Sequence, residues 1–199
     1  MLLIYVNTLT PRIIYIFKTI FRDVLKVNVT FTSDSKEFER SKTAKINYSE
    51  TELNSGIFFR ATKLLLETNI TKQDIAIIEF DNKPCFYQIE KNSTFPFDPF
   101  AASFYLISRY EEYLSHKKDK HGRFLADESL AFKNNFLETP LVNSWINKIA
   151  DEITIHYPKF EFPKREFQYL SSLDIDNAYA YQHKGLIRTI GGLGKKEKL

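Results

Sequence analysis

The stretch MLLIYVNTLTPRIIYIFKTIFRDVLKVNVTFT, residues 1–32, decides the fold class. Leu2–Val6 is a short apolar run typical of a buried strand, and Thr10-Pro11 supplies a helix cap and a first helical residue. Apolar residues then recur at helical spacing, which predicts a helix over Pro11–Leu25. Val27–Thr32 alternates between apolar and polar residues, as a second strand does. Strand, helix and strand in this order predict an α/β sheet domain with a βαβ-like opening.

The region from residue 33 to residue 96 gives weaker signals. Residues 33–45 are polar and predict a surface loop. Ile75–Phe80 and Cys85–Ile89 flank Asp81-Asn82-Lys83-Pro84, which predicts a hairpin. Three further short elements are expected, namely strands over Lys45–Tyr48 and Ile57–Phe59 and a helix within Ala61–Glu67.

The block FDPFAASFYLISRYEEY, residues 97–113, is the strongest local signal. Asp98 is a natural N-cap and Pro99 a natural first residue, so a helix is predicted from Asp98 to about Leu114. Glu111 falls within the apolar stripe of that helix. It is either a functional carboxylate with a raised pKa or a partner for an Arg of another element, and the pairing is favoured. A second amphipathic helix is predicted over Leu141–Ile155.

Composition narrows the function classes. The net charge is +3, from 28 basic and 25 acidic residues. This charge is too small to suggest a nucleic-acid binder, because such proteins usually carry a concentrated basic face. No run approaches the ~20 apolar residues of a membrane span, and residues 1–8 do not resemble an export signal, so a cytoplasmic protein is expected. The single Cys85 excludes an internal disulfide and is expected to be a buried, inert thiol.

A pair of carboxylates follows a change in composition near residue 160. Tyr157–Pro163 is bounded by prolines, so we predict an α/β domain over 1–156, a linker over 157–166 and a second unit over 167–199. This unit opens with FQYLSSLDIDNAY, whose first residues predict a strand. Asp174 and Asp176 would then share one face. Such a pair can bind a cation and take a proton from bound water, but it is also common in surface turns.

The motif Leu173-Asp174-Ile175-Asp176 after a strand resembles the opening motif of polysaccharide deacetylase-like domains, which are distorted (β/α) barrels. The resemblance implies that Asp174 is the catalytic base and that Asp176 binds a divalent metal, zinc being the expected ion. Three upstream blocks also resemble an uncharacterised α/β domain that precedes such barrels in bacterial proteins: FDPFAA at 97–102, SRYEEY at 108–113 and HGRF at 121–124. The expected architecture is therefore an open α/β sheet domain with flanking helices, followed by the incomplete start of a deacetylase barrel.

The sequence also departs from that family. The family's His-x-x-x-His metal motif has no counterpart among the four histidines, His116, His121, His156 and His183. We therefore expect the chain to bind metal weakly and to be catalytically incomplete by itself.

Three functions can be weighed against these sequence features, two of which remain open and one of which is disfavoured. The first is the accessory part of a deacetylase-like hydrolase that acts on N- or O-acetylated glycan. The second is a non-enzymatic α/β binding or docking module of bacterial polysaccharide metabolism, in which the Asp pair is only a turn. A nucleotide-binding domain is disfavoured because the first loop, Val6–Thr10, contains no glycine.

Overall fold

The computed structural model describes residues 1–164 and 166–174. These residues fall into two units, Met1–Pro163 and a unit that begins at Lys164, which are described separately. The strands of the first unit are β1 Leu2–Tyr5, β2 Val29–Thr32, β3 Lys45–Ser49, β4 Ile57–Arg60, β5 Ile78–Phe80 and β6 Lys83–Cys85. Its α-helices are α1 Pro11–Phe17, α2 Ser35–Arg40, α3 Lys63–Leu66, α4 Pro99–Ile107, α5 Leu130–Lys133 and α6 Leu141–His156. A π-helix spans Lys18–Val24, and two 3₁₀ helices span Tyr110–Tyr113 and Ala126–Glu128.

Four parallel strands form the main sheet, in the order β2-β1-β3-β4. Leu2 pairs with Val29 on one side of β1, and Leu3 pairs with Lys45 on the other. The chain thus adds its second strand on one side of β1 and its third and fourth on the other. The predicted α/β class with flanking helices is confirmed.

The first helix begins where the sequence predicts. The Thr10 hydroxyl accepts a hydrogen bond from the Ile13 amide at 3.1 Å and donates one to the Leu65 carbonyl at 2.6 Å, so one side chain caps α1 and ties it to α3. Helix α1 continues without a break into the π-helix, and the two together cover the predicted span Pro11–Leu25. Their buried residues Ile13, Ile16, Phe17, Ile20 and Phe21 form the apolar stripe that the spacing indicated.

Aromatic rings hold the core together around Phe100 of α4. Its ring stacks on Phe17 with centroids 4.2 Å apart, and it meets Tyr48 and Phe59 edge-on at 5.2 and 5.3 Å. One side chain therefore contacts residues from α1, β3 and β4, and offset or edge-on ring pairs of this kind stabilise beyond the area they bury.

Helix α4 is shorter than predicted. It ends at Ile107, and Arg109 adopts the left-handed conformation with φ 52° and ψ 44° before the 3₁₀ helix begins. The cause lies in tertiary structure: Tyr110 is buried, and its hydroxyl accepts a hydrogen bond from the Thr71 amide and donates one to the Thr71 carbonyl. The break moves Glu111 out of the helical stripe in which the sequence placed it.

Residues 33–45, predicted as a loop, contain helix α2. The Asp34 side chain caps its first turn, accepting from the Lys36 and Glu37 amides. Its last turn is capped from strand β3, where the Lys45 ammonium donates to three carbonyls, those of Phe38, Glu39 and Ser41, at 2.7, 3.0 and 2.9 Å. Burial lowers the pKa of Lys45. A lysine beyond the helix thus supplies a cap that the local polar pattern did not reveal.

The predicted hairpin forms with a shorter connection. Strands β5 and β6 are antiparallel and joined by Asp81 and Asn82, which have φ values of 54° and 56°. Two consecutive left-handed residues are typical of a type I′ turn, whose twist suits a hairpin. Pro84, predicted to lie in the turn, therefore belongs to β6 instead.

The second unit shows no strand within residues 166–174. Phe167, Tyr169, Leu170 and Leu173 are all exposed. A strand requires a partner for its backbone N–H and C=O groups, and the described part of the chain provides none here. The strand predicted to begin at Phe167 is therefore wrong for these residues, and the remainder of the predicted barrel start lies outside the described residues.

Candidate binding cleft

The two carboxylates singled out by the sequence are not brought into a site by the described residues. Asp174 is exposed in an irregular segment, and Asp176 lies outside the described residues. Within residues 1–164 and 166–174, no three His, Cys, Asp or Glu side chains are grouped so that they could hold a metal ion. The catalytic role of Asp174 and the metal-binding role of Asp176 stay predictions.

A cleft of about 620 Å³ lies instead among residues 109–126 of the first unit. Its walls come from the two blocks SRYEEY and HGRF and from the residues that follow them. The principal lining side chains are Arg109, Glu112, His116, Lys118, Asp119, Arg123 and Phe124. The volume lies within the ~300–1,000 Å³ of small-molecule sites. We refer to it as the arginine cleft.

One wall of the arginine cleft is a tight loop organised by Asp119. Its Oδ1 accepts hydrogen bonds from the amides of His121 and Arg123 at 2.8 and 2.9 Å, and its own amide donates to the Arg123 carbonyl at 3.0 Å. Gly122 occupies the loop with φ 78°, a conformation that glycine adopts readily. Hydrogen bonding from Arg123 holds the pKa of Asp119 below its ordinary value. This carboxylate is therefore negatively charged, and its hydrogen bonds lie within its own loop.

Two arginines face the solvent in this cleft, each paired with a nearby carboxylate. Nε and Nη2 of Arg123 both contact Oδ2 of Asp119 at 2.8 Å, and Arg109 contacts Glu112 through the same pair of atoms. Both arginine side chains are 73% exposed. Exposed ion pairs stabilise a fold by only about 0–1 kcal/mol, so these guanidinium groups can engage a ligand at little cost to the fold.

The ring of His116, which lines the cleft, has a defined hydrogen position. Its Nδ1 lies 2.8 Å from the Leu114 carbonyl oxygen, which can only accept, so Nδ1 carries the hydrogen. When the ring is neutral, Nε2 is therefore an acceptor. The ring packs edge-on against Phe124, with centroids 4.9 Å apart, and this contact fixes its orientation.

Glu111 lies beside the arginine cleft and is structural. Its Oε2 accepts a hydrogen bond from the Leu130 amide at 2.9 Å, at the start of α5. Burial raises the pKa of Glu111, and the bond from Leu130 opposes that shift. The expectation that Glu111 pairs with an arginine was wrong, because its partner is a backbone amide at a helix start, where negative charge is favourable.

Asp98, which opens the same sequence block, is also structural. Its fully buried carboxylate accepts five hydrogen bonds, from the amides of Phe100, Ala101 and Thr62 and from the hydroxyls of Tyr48 and Thr62. The block at 97–113 therefore serves the core at its start and the cleft at its end.

Residues 2–158 match the model of a family described as "Family of unknown function (DUF7033)". The chain belongs to the DUF7033 family. No curated protein and no solved structure matches it. The DUF7033 region ends two residues after α6 and contains the whole arginine cleft, whereas Asp174 and Asp176 follow it.

Sequence reasoning noticed the DUF7033 blocks but assigned them no role. Arg109, His116, Lys118 and Arg123 were missed as cleft residues because a surface arginine and a basic loop are usually only solvated. A usable signal was present in HGRF, where a glycine within a polar loop indicates a tight turn that turns neighbouring side chains to one side. None of the helices in the described part of the DUF7033 chain has the length and apolar character needed to cross a membrane.

Proposed function

We propose that the DUF7033 region of this chain is the accessory, ligand-holding part of a polysaccharide deacetylase-like, metal-dependent hydrolase that acts on N- or O-acetylated glycan. The observation that carries the proposal is the division of the chain after Pro163. The DUF7033 region with its arginine cleft lies before this point, and the deacetylase-like motif Leu173-Asp174-Ile175-Asp176 lies after it.

The state of the cleft carboxylates supports a holding role for the first unit. A general base needs a carboxylate that can reach and accept a substrate proton. Asp119 is occupied by two backbone amides and Arg123, and Glu112 is occupied by Arg109. These carboxylates position the arginines of the cleft, which supports a holding role for the first unit.

The proposed catalytic part rests on the resemblance of the motif at 173–176. Catalytic zinc sites use three protein ligands and keep one position open. The described residues do not bring such a set together, since Asp174 stands alone there. The roles of Asp174 as base and Asp176 as metal ligand belong to the proposal.

Acetate release tests this proposal directly. The protein in its longest natural form would be incubated with N-acetylated and O-acetylated oligosaccharides, with bound zinc measured in parallel. We expect Asp174→Asn to abolish turnover while sparing metal, and Asp176→Asn to lose the metal itself. The control is Asp151→Asn, an exposed carboxylate of α6. Turnover and metal content that survive both motif substitutions would overturn the proposal.

A second candidate is a binding module without hydrolase activity. It is favoured by the arginine cleft, whose described lining lies within residues 109–126 of the first unit. Ligand binding by Met1–Pro163, together with no acetate release from any acetylated glycan by the longest natural form, would select this candidate.

A further inference from the structure

We propose that the arginine cleft binds a singly charged carboxylate group, of the kind carried by a uronic acid, between Arg109 and Arg123. The inference rests on the geometry of the cleft and stands whether or not the protein is a hydrolase.

The net charge of the cleft lining favours a ligand that carries one negative charge. The cleft lining contains three cationic side chains, Arg109, Lys118 and Arg123, and two carboxylates, Glu112 and Asp119, so its net charge is +1 when His116 is neutral. A single carboxylate neutralises that excess. A phosphate dianion would reverse it, so the balance of charges favours a carboxylate over a phosphate.

Each of the two arginines keeps a nitrogen, Nη1, that can donate hydrogen bonds to a bound carboxylate. Each guanidinium directs Nε and Nη2 at its own carboxylate, and no described residue accepts a hydrogen bond from Nη1 of Arg109 or Arg123. Planar guanidinium groups recognise carboxylates through paired N–H donors, and such charge-assisted bonds are the stronger class. In its neutral form, His116 has an acceptor at Nε2 for a sugar hydroxyl, and Phe124 adds an apolar wall.

The backbone conformation of Arg109 determines where its side chain leaves the chain. The left-handed region is unfavourable for a residue with a β-carbon, and glycine or asparagine fits there more easily. Arg109 adopts this conformation, and its side chain is 73% exposed on the wall of the cleft. The strain is tolerated because buried Tyr110 fixes the next residue.

The cleft is large enough to hold the sugar that bears the carboxylate as well as the carboxylate itself. About 620 Å³ exceeds what a lone carboxylate occupies, so a sugar ring or two can enter with the acidic group. The ligand class is therefore an acidic oligosaccharide.

Isothermal titration of the full 199-residue chain with tri-galacturonic acid tests the proposal, with maltotriose and inorganic phosphate as comparison probes. We expect tri-galacturonate to bind at least tenfold more tightly than either probe, and Arg109→Gly and Arg123→Gln each to weaken it by about tenfold or more. Arg109→Gly relieves the backbone strain, so its melting temperature should equal or exceed that of the wild type, and a loss of binding cannot be ascribed to unfolding. The control is Arg22→Gln, an exposed arginine paired with Asp23 far from the cleft in sequence, which should leave binding unchanged.

Three results would overturn the proposal. They are equal binding of maltotriose and tri-galacturonate, tighter binding of phosphate, or undiminished binding by folded Arg109→Gly and Arg123→Gln proteins. The titration does not measure acetate release, so failure of this proposal is distinguishable from failure of the hydrolase proposal.

Discussion

The hydroxyl of Tyr48 in β3 donates a hydrogen bond to Oδ2 of Asp98 across 2.8 Å, and both side chains are buried. The same oxygen accepts from the amide and hydroxyl of Thr62, at 2.8 and 2.9 Å, while Oδ1 caps α4. One carboxylate therefore joins β3, the residue before α3, and the start of α4. Burial raises the pKa of Asp98, and these hydrogen bonds oppose the shift.

Asp98→Ala should destabilise the protein by at least about 3 kcal/mol, because it leaves several buried donors without an acceptor. A helix cap alone would predict a loss of only ~1 kcal/mol. Asp34→Ala is the matched control, since Asp34 makes the same two-amide cap at α2 but is exposed. Urea unfolding of the two variants measures the difference. Equal losses would mean that Tyr48 and Thr62 contribute nothing through Asp98.

Phe100→Ala should cost more than Phe104→Ala, although both rings lie on α4. Deletion of a buried Phe costs ~3–5 kcal/mol, and Phe100 should reach the upper end because four aromatic neighbours surround it. Phe104 is 8% exposed and lies under the guanidinium of Arg12, so we expect about 3 kcal/mol there. The free energy of unfolding of each variant decides the order. A cost below about 1 kcal/mol for Phe104→Ala would show that its face is a surface rather than core.

Among the described residues, Gly56 and Gly122 have positive φ, and they should respond differently to substitution by alanine. A β-carbon at Gly56 would lie 2.8 Å from Cζ of Phe38 and 3.2 Å from the Lys45 carbonyl oxygen, whereas one at Gly122 would meet nothing within 4 Å. Gly122→Ala should therefore cost only the backbone strain, about 1 kcal/mol. Gly56→Ala should cost about 2–4 kcal/mol through strain and overpacking. Thermal unfolding compares them, and equal costs would contradict the crowding at Phe38.

The buried thiol of Cys85 predicts a loss of stability at alkaline pH. Burial raises the pKa of Cys85 to about 12, against an ordinary value of 9.0, so the folded chain keeps a proton that the unfolded chain releases. Stability is therefore unaffected well below pH 9 and falls progressively as the pH rises from about 9 towards about 12, with roughly 1 kcal/mol lost at pH 9.5. Urea unfolding at pH 8.0 and 9.5 should show this loss in the wild type and a smaller one in Cys85→Ala. Identical pH dependence in the two proteins would contradict it.

Trypsin should cleave after Lys164 before it cleaves after Lys159. Lys159 is exposed, but it lies between Tyr157, whose hydroxyl donates to the Lys45 carbonyl at 3.2 Å, and Phe160, which packs on the core. A protease needs several residues of free backbone around the cleaved bond. Mass spectrometry of the earliest fragments identifies the site. A first cut after Lys159 would show that residues 157–163 open readily.

The sequence alone predicts those elements whose apolar pattern agrees with their burial in the fold. Strand β1, helix α1 and helix α6 carry continuous apolar stripes or runs, and each formed within two residues of the predicted bounds when the π-helix is counted with α1. Helix α2 has Phe38 as its one buried residue and depends on Lys45 for its last turn. Its stability comes from a residue outside the segment, so local periodicity could not reveal it.

The candidate site was harder to predict for a similar reason. The left-handed turn at Arg109 carries no glycine or proline signal and depends on the distant contact between Tyr110 and Thr71. Without that turn, residues 108–113 look like a further turn and a half of helix. The bond between Glu111 and the Leu130 amide, which is 19 positions away, is equally invisible to spacing.

The Tyr48–Asp98 bond has a consequence for synthesis on the ribosome. All four strands of the main sheet have been made by residue 60, yet the acceptor for the Tyr48 hydroxyl is residue 98. At ~5–20 residues per second, roughly 2–8 s separate the two events. During that interval the nascent sheet holds an unpartnered phenol and lacks the Phe100 ring that packs against it. The amino-terminal sheet should therefore be a client for chaperones until α4 emerges, and translation pauses between residues 60 and 98 should lower the yield of folded protein.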